Sequence, residues 1–141
     1  MKKLTLPLII LSLFTGSTVA AIQPIPAPLI KALSKLNLSR PASLNGGSLF
    51  VSLNIDSIET LQAKSVVESV CIAYLGLNPL KRTWKAGGIK DVVITNADAT
   101  QGFVYQDSDR SCELWGKTTG NEGDAFLEDR LSAATFKPQF Q

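Results

Sequence analysis

The stretch Asp56–Leu77, D-S-I-E-T-L-Q-A-K-S-V-V-E-S-V-C-I-A-Y-L-G-L, decides the architecture of this chain. Ala63, Val66, Val67, Val70, Cys71, Tyr74 and Leu77 recur at helical spacing. Gln62, Lys64, Ser65, Glu68 and Ser69 fall largely on the other side. Asp56 and Glu59 stand three apart, as N-cap and N3 of a capping pair, and Gly76 marks the end. The pattern predicts a long helix over about Ser57–Leu75, with Cys71 on or beside its buried stripe. A helix with one apolar stripe needs a partner layer, and the flanking segments offer strands.

Upstream, Asn45-Gly46-Gly47 is a turn signal followed by strict alternation. Leu49, Val51, Leu53 and Ile55 point one way, and Phe50, Ser52 and Asn54 the other, as in a half-buried strand. Residues 40–44 are a possible pairing partner across the turn, with Pro41 restricting them to an edge. Downstream, Ile89–Thr95 and Gly102–Gln106 read as strands, and Asp107–Arg110 as a polar turn into a third, Ser111–Lys117. Links of a few residues favour an antiparallel meander over parallel crossovers. Residues 125–136 fit either a helix, with Leu127, Leu131 and Ala134 aligned, or a pair of short strands. The expected fold is therefore α+β: one long helix packed on an antiparallel sheet of about four strands.

The 141 residues begin with Met1-Lys2-Lys3, an apolar run to Phe14 and a small-residue stretch ending at Ala20. That pattern is a secretory signal peptide, residues 1–20. Its apolar core, about ten residues long, is short of the roughly twenty that span a bilayer, so no transmembrane segment is expected in the mature chain. Without Lys2 and Lys3 the count is 12 Lys+Arg against 12 Asp+Glu. A neutral domain disfavours electrostatic nucleic-acid binding. Residues 21–47 read as a Pro-rich N-terminal segment, with a short helix possible over Leu29–Leu38, and residues 48–141 as a single α+β domain. Localisation is expected to be periplasmic or secreted. Two cysteines in an exported chain predict one disulfide, Cys71–Cys112, joining the helix to the third meander strand. The chain-entropy model gives such a bridge about 4 kcal/mol.

Histidine is absent, which excludes a Ser-His-Asp triad, a Cys-His dyad and His-ligated metal. Asp107, Asp109 and Ser111 mimic the first oxygen positions of a calcium loop. Cys112 stands where the turn glycine belongs and Thr118 where the bidentate Glu belongs. The acidic residues Glu122, Asp124, Glu128 and Asp129 suit a capped, solvated helix. No cofactor and no metal are expected. Asp91, Asp107 and Glu113 offer carboxylates for acid–base work, with no cleft legible to select a pair. The one local basic cluster, Lys81-Arg82-Thr83-Trp84-Lys85, sets cations beside an indole. Arg82, Trp84 and Trp115 are the candidate partner contacts, with Tyr105 beside them if that face is exposed, because Trp, Tyr and Arg dominate interface energetics. The expectation is a small exported, non-enzymatic binding protein, an inhibitor or immunity-type partner of another protein or envelope component. The competing readings are a small carboxylate-dependent hydrolase and an accessory structural component of an envelope complex.

Overall fold

The computed structural model describes residues 22–137; the leader, its cleavage point and residues 138–141 lie outside them. The elements follow in the order β1 (Ile22–Gln23), α1 (Ala27–Leu33), β2 (Ser43–Asn45), β3 (Ser48–Ser52), α2 (Thr60–Leu75), β4 (Asp91–Thr95), β5 (Gln101–Gln106), α3 (Ser108–Trp115), α4 (Asn121–Arg130) and β6 (Leu131–Thr135). The strands form one six-stranded sheet in chain order. The class is α+β as expected, but the layout corrects the expectation. Among the described residues four helices, not one, accompany the sheet, which is mixed rather than antiparallel and has six strands rather than about four.

The reversal comes from β3 and β4. They pair in parallel, Leu49 opposite Val92 and Val51 opposite Ile94. Parallel neighbours need a crossover, and residues 53–90, with α2 inside them, provide it. On either side the links are tight and the pairing is antiparallel: β2–β3 across Gly46-Gly47, and β4–β5 across residues 96–100. Both turn glycines have positive φ, +59° and +85°, the conformation that suits glycine.

Residues 22–45 contribute β1, α1 and β2 to this same sheet and core. The prolines forbid a helix interior but not a helix start. Pro26 is the N-cap of α1 and Pro28 lies in its first turn, where a missing N–H costs nothing. Leu29 and Leu33 are buried, and α1 packs against α2.

Helix α2 begins at Thr60, not Ser57. The capping box lies three residues later than expected: the Glu59 side chain accepts from the N3 backbone N–H, and Gln62 Oε1 accepts from Glu59 N at 2.9 Å. Its stripe of Ala63, Val66, Val67, Val70, Cys71 and Tyr74 is buried, in one core with Leu44, Leu49, Val51, Val92, Ile94 and Tyr105 of the sheet. Lys64 is not on a bare outer face. Helix α4 lies beside it, placing Asp124 and Glu128 at 3.5 and 3.1 Å from Nζ.

Two further corrections fall in the C-terminal third. Residues 108–115, expected as turn and strand, are helix α3. Residues 125–136 are neither one helix nor two strands, since α4 runs to Arg130 and β6 follows without a break. Strand β6 pairs with β5, Phe103 opposite Ala133. At the end of β5 opposite α3, a Cβ on Gly102 would lie 1.9 Å from the carbonyl oxygen of Ile94, so only glycine fits there.

Candidate functional site

Two regions gather chemistry-bearing side chains, and they adjoin. The first is built around the disulfide. Cys71 and Cys112 are joined, with Cα atoms 5.0 Å apart. The bridge links helix to helix, α2 to α3, because Cys112 lies on α3 and not on a strand. Helix α3 starts after Asp107, whose φ is +51°. Asp109 sits in its first turn and Glu113 one turn later, so both carboxylates share a face.

The connection between α2 and β4 folds back onto that face. Trp84 packs its ring on Tyr74, with centroids 5.1 Å apart, and its Nε1–H donates to Asp109 at 3.0 Å. Ile89 N donates to the same carboxylate at 3.1 Å. Arg82 donates to both oxygens of Glu113, at 2.5 and 2.7 Å. Thr83 is tied to the end of α2 through Oγ1 to Ala73 O at 2.6 Å and N to Tyr74 O at 3.1 Å. Fork-to-fork guanidinium–carboxylate geometry of this kind fixes orientation as well as charge.

The two carboxyls are driven apart electrostatically. Burial pushes Asp109 above the usual carboxylate range, against the pull of its N–H donors. The hydrogen bonds from Arg82 hold Glu113 below it. Burial raises the Tyr74 hydroxyl to about 12. A cavity of about 290 Å³ opens beside them, lined by Tyr74, Ile89, Lys90, Asp109, Arg110 and Glu113. Each carboxylate already accepts from internal donors, so this cluster is built as a clamp. It holds a segment with no strand or helix of its own against α3.

The sequence-derived contact residues are therefore placed as follows. Arg82 and Trp84 are half-buried within the clamp. Trp115 is half-buried at the opposite end of α3, where it lines a separate depression with Glu68, Leu75 and Gly123. An axial rise of about 9 Å along the helix separates Trp115 from Asp109. Tyr105 is fully buried in the core. The aromatic residues thus do not form one exposed patch.

The second region is a groove of about 730 Å³ between α1 and the C-terminal end of α2, roofed at one side by residues 77–83. Pro28, Ala32, Ile72, Ala73 and Leu77 give it an apolar lining, and Lys31, Lys35 and Lys81 stand around it. Among the described residues no aspartate or glutamate lines it. None of these three lysines has an ion-pair partner among the described residues. Beside the groove Leu77 is 104% and Leu80 94% exposed, as open as in an extended peptide. Leu77 was expected to close the buried stripe of α2. Instead the helix ends at Gly76, whose φ of +63° turns the chain outward before Leu77. The signal that bears on this in the sequence is the run Gly76-Leu77-Asn78-Pro79-Leu80, a turn carrying two leucines.

Among the described residues no cluster of three or more Cys, Asp or Glu side chains is arranged to hold a metal ion. No helix among them is long and apolar enough to cross a membrane. No protein family, curated protein or solved structure matches this chain.

Proposed function

We propose that this is an exported, non-enzymatic binding protein whose contact face is the α1–α2 groove with its leucine turn. One observation carries the reading: Leu77 and Leu80 stand fully in solvent beside an apolar groove rimmed by lysines that have no ion-pair partner among the described residues. Exposed apolar side chains grouped beside one groove mark an interaction site more than isolated ones do. Arg82 also lines this groove, so one of the sequence-derived contacts borders the proposed face. Export is supported by the N-terminal pattern of residues 1–20 and by the disulfide, which persists in oxidising compartments. A photo-crosslinking amino acid at position 80 tests the reading in intact cells, with position 129 on α4 as the exposed control. Adducts at position 80 alone are expected. Equal yields at both positions, or none, would overturn it.

The hydrolase reading has one observation in its favour. Asp109 and Glu113 border one cavity with their proton affinities shifted in opposite directions, as in acid–base pairs. Their internal partners count against it, because Trp84, Ile89 and Arg82 occupy the oxygens that substrate would need. Hydrolysis of a chromogenic glycoside panel that is lost in Asp109→Asn would reinstate it.

A further inference from the structure

We propose that the groove and the leucine turn dock on the surface of an anionic phospholipid bilayer. The inference rests on reading this face as the contact face and assigns the chemistry of its partner. The leucines are held outward by an ordered turn. Leu80 N donates to Asn78 Oδ1 at 2.9 Å, and Lys81 N to Asn78 O at 3.2 Å. Gly76 directs the chain out of α2, and the bonds of Thr83 to Ala73 and Tyr74 bring it back. The turn is therefore a pinned projection with Leu77 and Leu80 at its outside. Ile72, on the groove wall beside it, is also exposed.

Charge completes the argument. Lys31 lies on α1 and Lys35 two residues beyond its end, both lining the groove, and Lys81 adjoins Leu80. The three ammonium groups border the groove with no carboxylate among its lining residues. The chain without its leader has equal numbers of cations and anions, so this cationic rim is a local feature and not a consequence of overall charge. Exposed apolar side chains beside a lysine-lined groove match the acyl boundary and the anionic headgroup layer of a bilayer. A folded protein partner would need a preformed recess for each projecting leucine, whereas lipid accommodates projections without one. Irregular backbone does not enter hydrocarbon, so the turn itself stays at headgroup depth and only the side chains reach further.

Sedimentation with vesicles of phosphatidylglycerol and phosphatidylcholine (1:1), against phosphatidylcholine alone, tests this at low salt. The protein is purified from the envelope, and its N-terminus is read by intact mass. Parent and variants then share the same N-terminus. The parent is expected to bind the anionic vesicles selectively and to release at high salt. Lys31→Gln/Lys35→Gln/Lys81→Gln should lose about 100-fold in affinity, from roughly fivefold per lysine. Leu77→Ser/Leu80→Ser should lose about tenfold or more. Lys117→Gln, an exposed site outside the groove, should bind within about twofold of the parent. Thermal melting of each variant confirms folding, since every replaced side chain is exposed and lies outside the core. Equal binding to both vesicle types, or full binding by either multiple variant, overturns the proposal. A protein adduct at position 80 without vesicle binding overturns the bilayer as partner and leaves the contact face standing. No adduct of any kind removes both.

Discussion

Residues 77–81 and 82–89 are neighbours in one connection, yet the fold treats them in opposite ways. The second stretch holds an arginine, a tryptophan and a threonine, and all three are engaged by α2 or α3. The first holds two leucines and a lysine, and these are left to solvent. Chemical richness is thus a poor guide to availability here. Residues 76–90 contain no helix or strand. A connection of that length lacks the ladder bonds that order a backbone, so side chains must supply the order. The residues best able to make directed bonds are drawn into that task, and the plain ones are free for contact.

The comparison can be broken at its anchor first. Cys71→Ser is expected to cost roughly 2–5 kcal/mol by denaturant unfolding, since it frees α3 from α2. A cost below about 1 kcal/mol would mean that the clamp stands without the bridge. Trp84→Ala comes next at about 2–4 kcal/mol, from lost packing on Tyr74 and an Asp109 carboxylate deprived of one donor. If Trp84→Ala leaves stability unchanged, residues 82–89 are no more engaged than residues 77–81. Arg82→Ala removes a solvent-screened ion pair and should cost clearly less than Trp84→Ala in the same unfolding measurement. Leu80→Ser should shift stability by less than about 0.5 kcal/mol, the far end of the contrast.

Acid sharpens the picture within the clamp itself. Glu113 has a lowered folded value, so its stabilising contribution is present above its unfolded value near 4.5 and is lost as pH falls through the folded one. Asp109 runs the other way. Its folded value is raised, so the fold binds this proton more tightly than the unfolded chain does. Its contribution therefore favours folding increasingly as pH drops through the folded value toward 3.8. Melting temperatures between pH 7 and pH 3 should fall less steeply for Glu113→Gln than for the parent, and more steeply for Asp109→Asn. Parallel curves for all three proteins would show that neither carboxyl is shifted.

Much of the fold was legible because the relevant patterns are long or chemically sharp. The stripe of α2 covers several turns, and Asn45-Gly46 permits few conformations other than a hairpin turn. The parallel β3–β4 pair was less visible, because short links elsewhere suggested a meander, although the long 53–90 segment is what a crossover requires. Helix α3 is hidden in the sequence for a different reason. Its buried positions are Ser108, Asp109, Ser111 and Cys112, so three of the four inward side chains are polar or acidic and no apolar stripe forms. Over Cys112–Trp115 four residues satisfy period two as readily as period 3.6. The clamp was legible only as residue types. Arg82 and Glu113 are 31 positions apart, and nothing local pairs them. The groove was hidden by one glycine, which turned Leu77 out of a stripe it otherwise continues.

The Cys71–Cys112 bridge encloses both stretches of the connection, together with β4 and β5, in a covalent ring. Lys81 and Lys85 lie inside that ring and are exposed. A trypsin-like protease cutting at either lysine would open the ring without separating the halves, which would still be tied through sulfur. The cut protein would migrate as one species without reductant and as two with it. Hydrolysis in this exposed connection thus becomes a local opening rather than a loss of the molecule, as long as the surroundings remain oxidising.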